Sequence, residues 1–233
     1  MAERRDDEMF SGIKTLFRIG VLFLPWPLKR RVLSMLFGYR LHKTSRIGFS
    51  WVYPESLVME EHSRIGHFTV CKGLSLATLG RHASIGTLNW ISAYPKSADL
   101  HYGAEIDRRN DLLMGEHSAI TNRHLIDCTN LVSIGKFSTV AGYRSQILTH
   151  SINLSQNLQS SASVTIGNYC FIGTGSVFLP GSCLPSHSVL GAGSLLNKVF
   201  IGEYYLYAGI PAKPVKDLPK DAKYFSRSQG FVI

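Results

Sequence analysis

Residues 164–198 read VTIGNYCFIGTGSVFLPGSCLPSHSVLGAGSLLNK, and an aliphatic or aromatic residue returns in them every six positions: Ile166, Ile172, Phe178, Leu184, Leu190 and Leu196. Six is a multiple of the strand period of two but not of the helical period of about 3.6, so these side chains share a face only if the backbone is extended. Four residues after each apolar position comes a small one (Cys170, Ser176, Ser182, Ser188, Ser194), with glycine or proline at Gly167, Gly173, Gly175, Pro180, Gly181, Pro185, Gly191 and Gly193. The pattern predicts short strands joined by tight corners. Three sides close one coil, and stacked coils bury the apolar column as a continuous core. The fold class is mainly β, a parallel β-helix.

Outward from this stretch the six-residue register is traced from Ile47 through Tyr53, Met59, Ile65 and Cys71. It resumes after an offset at Leu79, Ile85 and Ile91, and again at Met114, Ile120, Ile126, Ile134 and Val140. Residues 92–113 and about 149–163 carry no consistent period and read as loop excursions, which in a compact scaffold tend to be functional. The organisation expected is an N-terminal segment over 1–43, a β-helix over 44–213 and a short C-terminal tail over 214–233.

Residues 1–10 mix acids and bases and read as a solvated, frayed start. From Phe10 to Phe37 the chain is apolar with basic punctuation, broken by Pro25 and Pro27, and is read as two short helices. The unbroken apolar run falls short of the roughly 20 residues a membrane span needs, and no small-residue cleavage site follows a well-formed signal core. Two roles stay open for this segment: a cap on the exposed end of the solenoid, or an interfacial anchor with Lys29, Arg30 and Arg31 on anionic lipid. Both can hold at once.

The formal net charge of +9 suits an anionic partner without choosing among nucleic acid, an acidic membrane surface and a phosphorylated small molecule. Cys71, Cys128, Cys170 and Cys183 lie far apart with no C-x-x-C spacing, which reads as reduced core thiols in a reducing, cytoplasmic compartment.

His150 sits where Ile147-Leu148-Thr149 ends a coil and a polar loop begins, so its ring belongs at the surface, either as a loop or capping histidine or as a base. His82 and His117 fall at solvent-facing positions, and His124 at a position that suits an inward core histidine. Asn122 and Asp127 read as ordinary corner residues, since both favour tight turns.

The hexads Ile166–Phe171 and Ile172–Val177, with Ala208-Gly209-Ile210-Pro211-Ala212-Lys213 downstream, resemble the hexapeptide-repeat acyltransferases. The resemblance implies a left-handed coil, against the usual crossover hand. It also implies an acetyl-CoA-dependent O-acetyltransferase acting on a sugar or sugar-lipid intermediate, with active sites between the subunits of a homotrimer and with no resident metal or nucleic-acid partner. The apolar segment ahead of the coils is also similar to that of the colanic-acid-type acetyltransferases, which would place the protein in the cytoplasm or at the inner face of the membrane. His150 matches the family's catalytic base, and imidazole suits the task of taking a hydroxyl proton near neutral pH. Asn122 and Asp127 are the nearest matches to an acceptor-binding pair, each off the family spacing by one or two residues. Thr174, Ala192, Gly193, Asn197 and Lys198 match the groove for coenzyme A, with Lys213 and Lys216 at its nucleotide end; Asn197 stands where the family usually has threonine. Two rivals remain: a zinc carbonic anhydrase of the same fold, for which His62 and His67 have suggestive spacing, and a scaffold without catalysis.

Overall fold

The computed structural model describes residues 2–95, 102, 105, 107–230 and 232. A parallel β-helix fills most of the chain. Seven short strands form its first face (40–41, 56–59, 76–79, 111–114, 132–134, 164–166, 183–184), and seven form its third, from Trp51–Tyr53 to Leu195–Leu196. The second face has nine: eight parallel strands from Arg46–Ile47 to Tyr205–Gly209, and Ala212–Asp217, which folds back antiparallel.

Along most of these strands residues alternate outward and inward, and the inward ones stack in columns. Ile166, Ile172, Phe178, Leu184, Leu190 and Leu196 are all 0 or 1% exposed. On the third face the column starts at Val52, aligned with Cys71, and not at Tyr53, which aligns with Lys72. Tyr53 is buried for another reason: the N-terminal helices cover it, with Phe37 5.3 Å from its ring and its hydroxyl donating to the Arg18 carbonyl at 2.9 Å.

The corners explain the small residues. Ser45, Ser63 and Ser118 turn inward at the first corner, each hydroxyl donating at 2.7 Å to a carbonyl three residues back, so the buried oxygen is satisfied. Cys71, Cys128 and Cys170 are buried free thiols, and burial pushes Cys71 and Cys170 up to about 12.

At the first corner each coil from the second onward also has one residue in the left-handed region. It is filled by His62, His82, His117, Phe137, Tyr169, His187 and Tyr204, with φ between 54° and 60°. Their rings form one stack with centroids 4.7 to 5.5 Å apart. That spacing is close to the distance between neighbouring strands, about 4.8 Å, so ring-on-ring contact follows from the coil repeat.

The N-terminal segment forms two helices, α1 (Ala2–Leu22) and α2 (Trp26–Phe37), so α1 runs through the residues read as a frayed start. Glu3, Arg4, Arg5, Glu8 and Met9 are all good helix formers. Val21 and Leu33 enter the core. Lys29, placed on lipid in one reading, is instead buried: its ammonium donates to the Gly48 carbonyl at 2.8 Å, and desolvation lowers its pKa to about 8.

The C-terminal residues do more than trail away. Beyond strand 212–217 the chain runs back down the second face, where the Tyr224 hydroxyl donates to the Cys170 carbonyl at 3.1 Å and Phe225 packs edge-on against His187. The Arg227 guanidinium lies 3.8 Å over the Tyr224 ring and donates to the Phe137 carbonyl.

Candidate functional site

The third corner is where the coil is interrupted. Two insertions leave it, residues 93–110 and 148–163. The second is a hairpin, His150–Asn153 paired antiparallel with Leu158–Ser161, and not the irregular loop expected from its polar composition. Asn153 closes the turn by accepting the Gln156 N–H at 3.2 Å, and Asn157 takes the left-handed conformation.

His150 opens this hairpin, and its Nδ1 lies 2.7 Å from Oδ2 of Asp127 in the coil below. The imidazole side chain is 46% exposed and the Asp127 side chain 10%. Oδ2 also accepts the backbone N–H groups of Thr149 at 2.8 Å and His150 at 3.1 Å, and the Thr149 hydroxyl at 2.7 Å. Oδ1 accepts the Thr129 N–H at 3.0 Å and its hydroxyl at 2.6 Å. Burial by itself would raise the Asp127 pKa, but the donors from Thr129, His150 and Thr149 outweigh it and hold the carboxyl below its usual range. An ionised Asp127 can only accept, so Nδ1 of His150 is the donor of this bond, and in the neutral ring that leaves the lone pair on Nε2.

The first insertion braces this arrangement. The Glu105 carboxylate accepts the Ser161 N–H at 2.6 Å and its hydroxyl, and the Tyr102 hydroxyl reaches Gln159 at 3.4 Å. Tyr102 is buried beneath the Arg108 guanidinium, 4.5 Å from its ring; burial and then the Asp127 charge raise its pKa. Arg108 is 4% exposed and donates to the carbonyls of Tyr94, Thr129 and Pro95. Because the hairpin ladder pairs His150 with Ser161 and Ile152 with Gln159, these four share the hairpin face turned toward Tyr102 and Glu105.

His124 supplies a contrast. It is 2% exposed, its Nδ1 accepts the Ser145 N–H at 3.1 Å, and its Nε2 lies 2.9 Å from the Thr121 hydroxyl. Desolvation lowers its pKa to about 4, so it is a neutral core histidine with both nitrogens engaged.

The other sequence-predicted residues are distributed unevenly. Asn122 lies at the second corner, one face away from His150, and caps the Thr87 N–H at 2.7 Å; the fold does not bring it to Asp127. Asp127 itself has its oxygens filled by protein donors, so it backs His150 and offers little to an acceptor. Thr174, Ala192 and Gly193 gather at the second corner, with the 209–212 turn above them through a Gly209 N–H to Ser194 Oγ bond of 3.1 Å. The Thr174 hydroxyl is committed to the Tyr143 backbone at 2.8 Å. A Cβ added at Gly175 or Gly193 would meet nothing within 4 Å, so this corner is an open shelf of small residues. Asn197 and Lys198 are exposed at the third corner, two coils beyond His150, and Lys213 and Lys216 on the exposed strand 212–217. His62 and His67 stand at opposite ends of one strand, and no cluster of three metal-ligating side chains occurs among the described residues. Thr129 and Thr149 escaped the sequence reading; the Asp127-x-Thr129 spacing, an Asx turn, was the one available signal.

These features define a parallel β-helix with an aspartate–histidine pair at an interrupted corner. The chain is 30% identical over 192 residues to an uncharacterized protein of Dictyostelium discoideum, covering 79% of this chain and 72% of that one, and belongs to the same family. No family model matches it. Among solved structures it shares the fold of a candidate acetyltransferase of Bacillus cereus, with a TM-score of 0.54 and 18% identity over 74% of this chain and 86% of that one. It also resembles AntD, an N-acyltransferase of Bacillus cereus solved with dTDP-4-amino-4,6-dideoxyglucose and coenzyme A, with a TM-score of 0.50 and 14% identity over 73% and 84% of the two chains.

Proposed function

We propose that the protein is an acetyl-CoA-dependent O-acetyltransferase acting on a hydroxyl of a sugar or sugar-lipid intermediate, with His150 as general base. The observation that carries this reading is the 2.7 Å bond from His150 Nδ1 to buried Asp127, which leaves Nε2 free at an exposed corner. Nε2 removes the acceptor hydroxyl proton as the oxygen attacks the thioester carbonyl. The tetrahedral intermediate collapses by breaking the carbon–sulfur bond, and the imidazolium returns its proton to the departing thiolate of coenzyme A. Asp127 does not touch the reacting atoms; it fixes the ring and stabilises the imidazolium. The polar hairpin face beside Tyr102 and Glu105 would receive the acceptor. The donor's pantetheine would lie along the small-residue shelf, with the exposed Lys213 and Lys216 available to its phosphates.

His150 and that shelf occupy different corners of one chain, which supports a site completed by a neighbouring subunit in a homotrimer. The outer side of the face between them supports this too, since it exposes Trp90 at 47% and Leu125 at 42%. The decisive experiment is a mass-spectrometric screen of acetyl-CoA against free sugars, nucleotide sugars and lipid-linked sugars, with amino sugars included. An acetyl ester formed by the wild type and not by His150→Ala supports the reading. An amide product would replace the hydroxyl acceptor with an amine, and no transfer together with no coenzyme A binding would leave a scaffold. Light scattering at the mass of one active chain would remove the trimer.

A further inference from the structure

We infer that the helical cap is a docking surface for an anionic lipid bilayer, so that the β-helix stands on a membrane. This goes beyond the proposed reaction and rests on separate observations. The first is an outward apolar stripe. In α1, Ile13, Leu16 and Ile19 are 41 to 70% exposed. At about 100° per residue they fall on the side of the helix opposite Val21 and Arg18, which face the coil. In α2, Leu28 and Met35 are 48 and 81% exposed and flank Arg31 on the same outward side. A helix that needed only to close the solenoid would bury its apolar side and show a polar one, and these two helices expose apolar surface after closing it.

The second observation names the occupant. Between Glu8 and Glu55 the chain has eight lysines and arginines and no aspartate or glutamate. With the net −2 of residues 1–8 counted in, residues 1–54 hold +6 of the chain's formal net charge of +9. Of the eight, Lys29 is spent inside on the Gly48 carbonyl, while Lys14 and Arg31 on the helices and Arg40, Lys43 and Arg46 on the first coil are exposed. Apolar side chains among uncompensated cations match the boundary between acyl chains and anionic headgroups. Neither helix is long and apolar enough to cross a bilayer, so the contact is with one surface.

This placement also sets a reach. The corner bearing His150 is four coils beyond the first coil, about 19 Å at the usual strand spacing, which is within range of a headgroup-linked acceptor held at the surface.

The test is cosedimentation of the full-length protein with vesicles of phosphatidylcholine, alone or mixed with phosphatidylglycerol. The protein should pellet with the anionic vesicles at about 0.1 M salt and be released at about 1 M, where screening shortens to roughly 3 Å. The pair Leu16→Glu and Ile19→Glu, both on the outward side of α1, should reduce vesicle binding at least about tenfold, with an unchanged circular dichroism spectrum and melting temperature. Equal pelleting with neutral and anionic vesicles, or none with either, would overturn the inference. So would a fall in oligomer mass in the double variant with vesicle binding retained, which would make the stripe a contact between copies.

Discussion

The first and third corners are built from the same three-sided coil, yet one carries an unbroken ring stack and the other carries His150. Chain continuity separates them. In the stacked part of the first corner each coil passes in about four residues, so every coil places the same left-handed residue over the last one and the rings must meet. At the third corner two coils depart into insertions, the column of like residues is lost, and side chains from different insertions converge: His150 from one, Tyr102 and Glu105 from the other, with Asp127 beneath. Repetition produces stability, because identical neighbours satisfy one another. Interruption produces a site, because only a break lets unlike groups meet.

That contrast makes a separable forecast: changes at the third corner should act on turnover and changes at the first on stability. The largest effect belongs to His150→Ala. As a half-exposed residue it should leave the melting temperature nearly unchanged while kcat on the true acceptor falls about 10²- to 10⁴-fold, with the donor KM little affected. Retention of more than about a tenth of wild-type kcat would exclude the base role.

Asp127→Asn comes next. The amide can still accept from Thr129, but it no longer favours hydrogen on Nδ1 or supports the imidazolium, so kcat should fall about 10²-fold. A structural role alone would lower the melting temperature and leave the kcat of the folded fraction unchanged, so both quantities should be read on the same sample.

Phe137→Gly works at the other corner. It removes the contacts to His117 and Tyr169, centroids 4.8 Å away on each side, while suiting the backbone φ of 55°. Denaturant unfolding should show a loss of about 1–3 kcal/mol, and turnover by the remaining folded protein should match wild type. A turnover defect equal to that of Asp127→Asn would erase the division between the corners.

The smallest expected effect concerns His124. Its folded pKa, about 4, lies below the value of about 6.5 for a free imidazole. The unfolded chain therefore takes up a proton first, so this residue's contribution to stability is complete above pH 6.5 and declines as pH falls toward 4. From about pH 6.5 to 5.5 the loss is at most about 1.4 kcal/mol. His124→Gln should be less stable at pH 7 and show a shallower decline over that interval in thermal melts. An unchanged slope would place the titration elsewhere.

Much of this was legible in the sequence for a reason rooted in geometry. A six-residue apolar repeat can be satisfied only by an extended, cornered coil, so Ile166 to Leu196 determined the fold, its inward columns and its small corner residues. The same repeat exposed its own interruptions and drew attention to His150 as the residue where a coil ends. What lay across the interruptions was not legible. Asp127 and His150 are 23 residues apart and meet because two coils stack there, whereas Asn122, only five residues from Asp127, sits around a corner and faces another coil. Sequence distance ranks these two pairs in the wrong order, and stacking corrects it. Lys29 was misplaced likewise: composition gave it to the surface, and only the packing of α2 over the first coil set its ammonium on the Gly48 carbonyl. Local pattern fixes which residues are periodic; the tertiary structure alone decides which aperiodic ones become neighbours, because their contacts are made between coils and not along the chain.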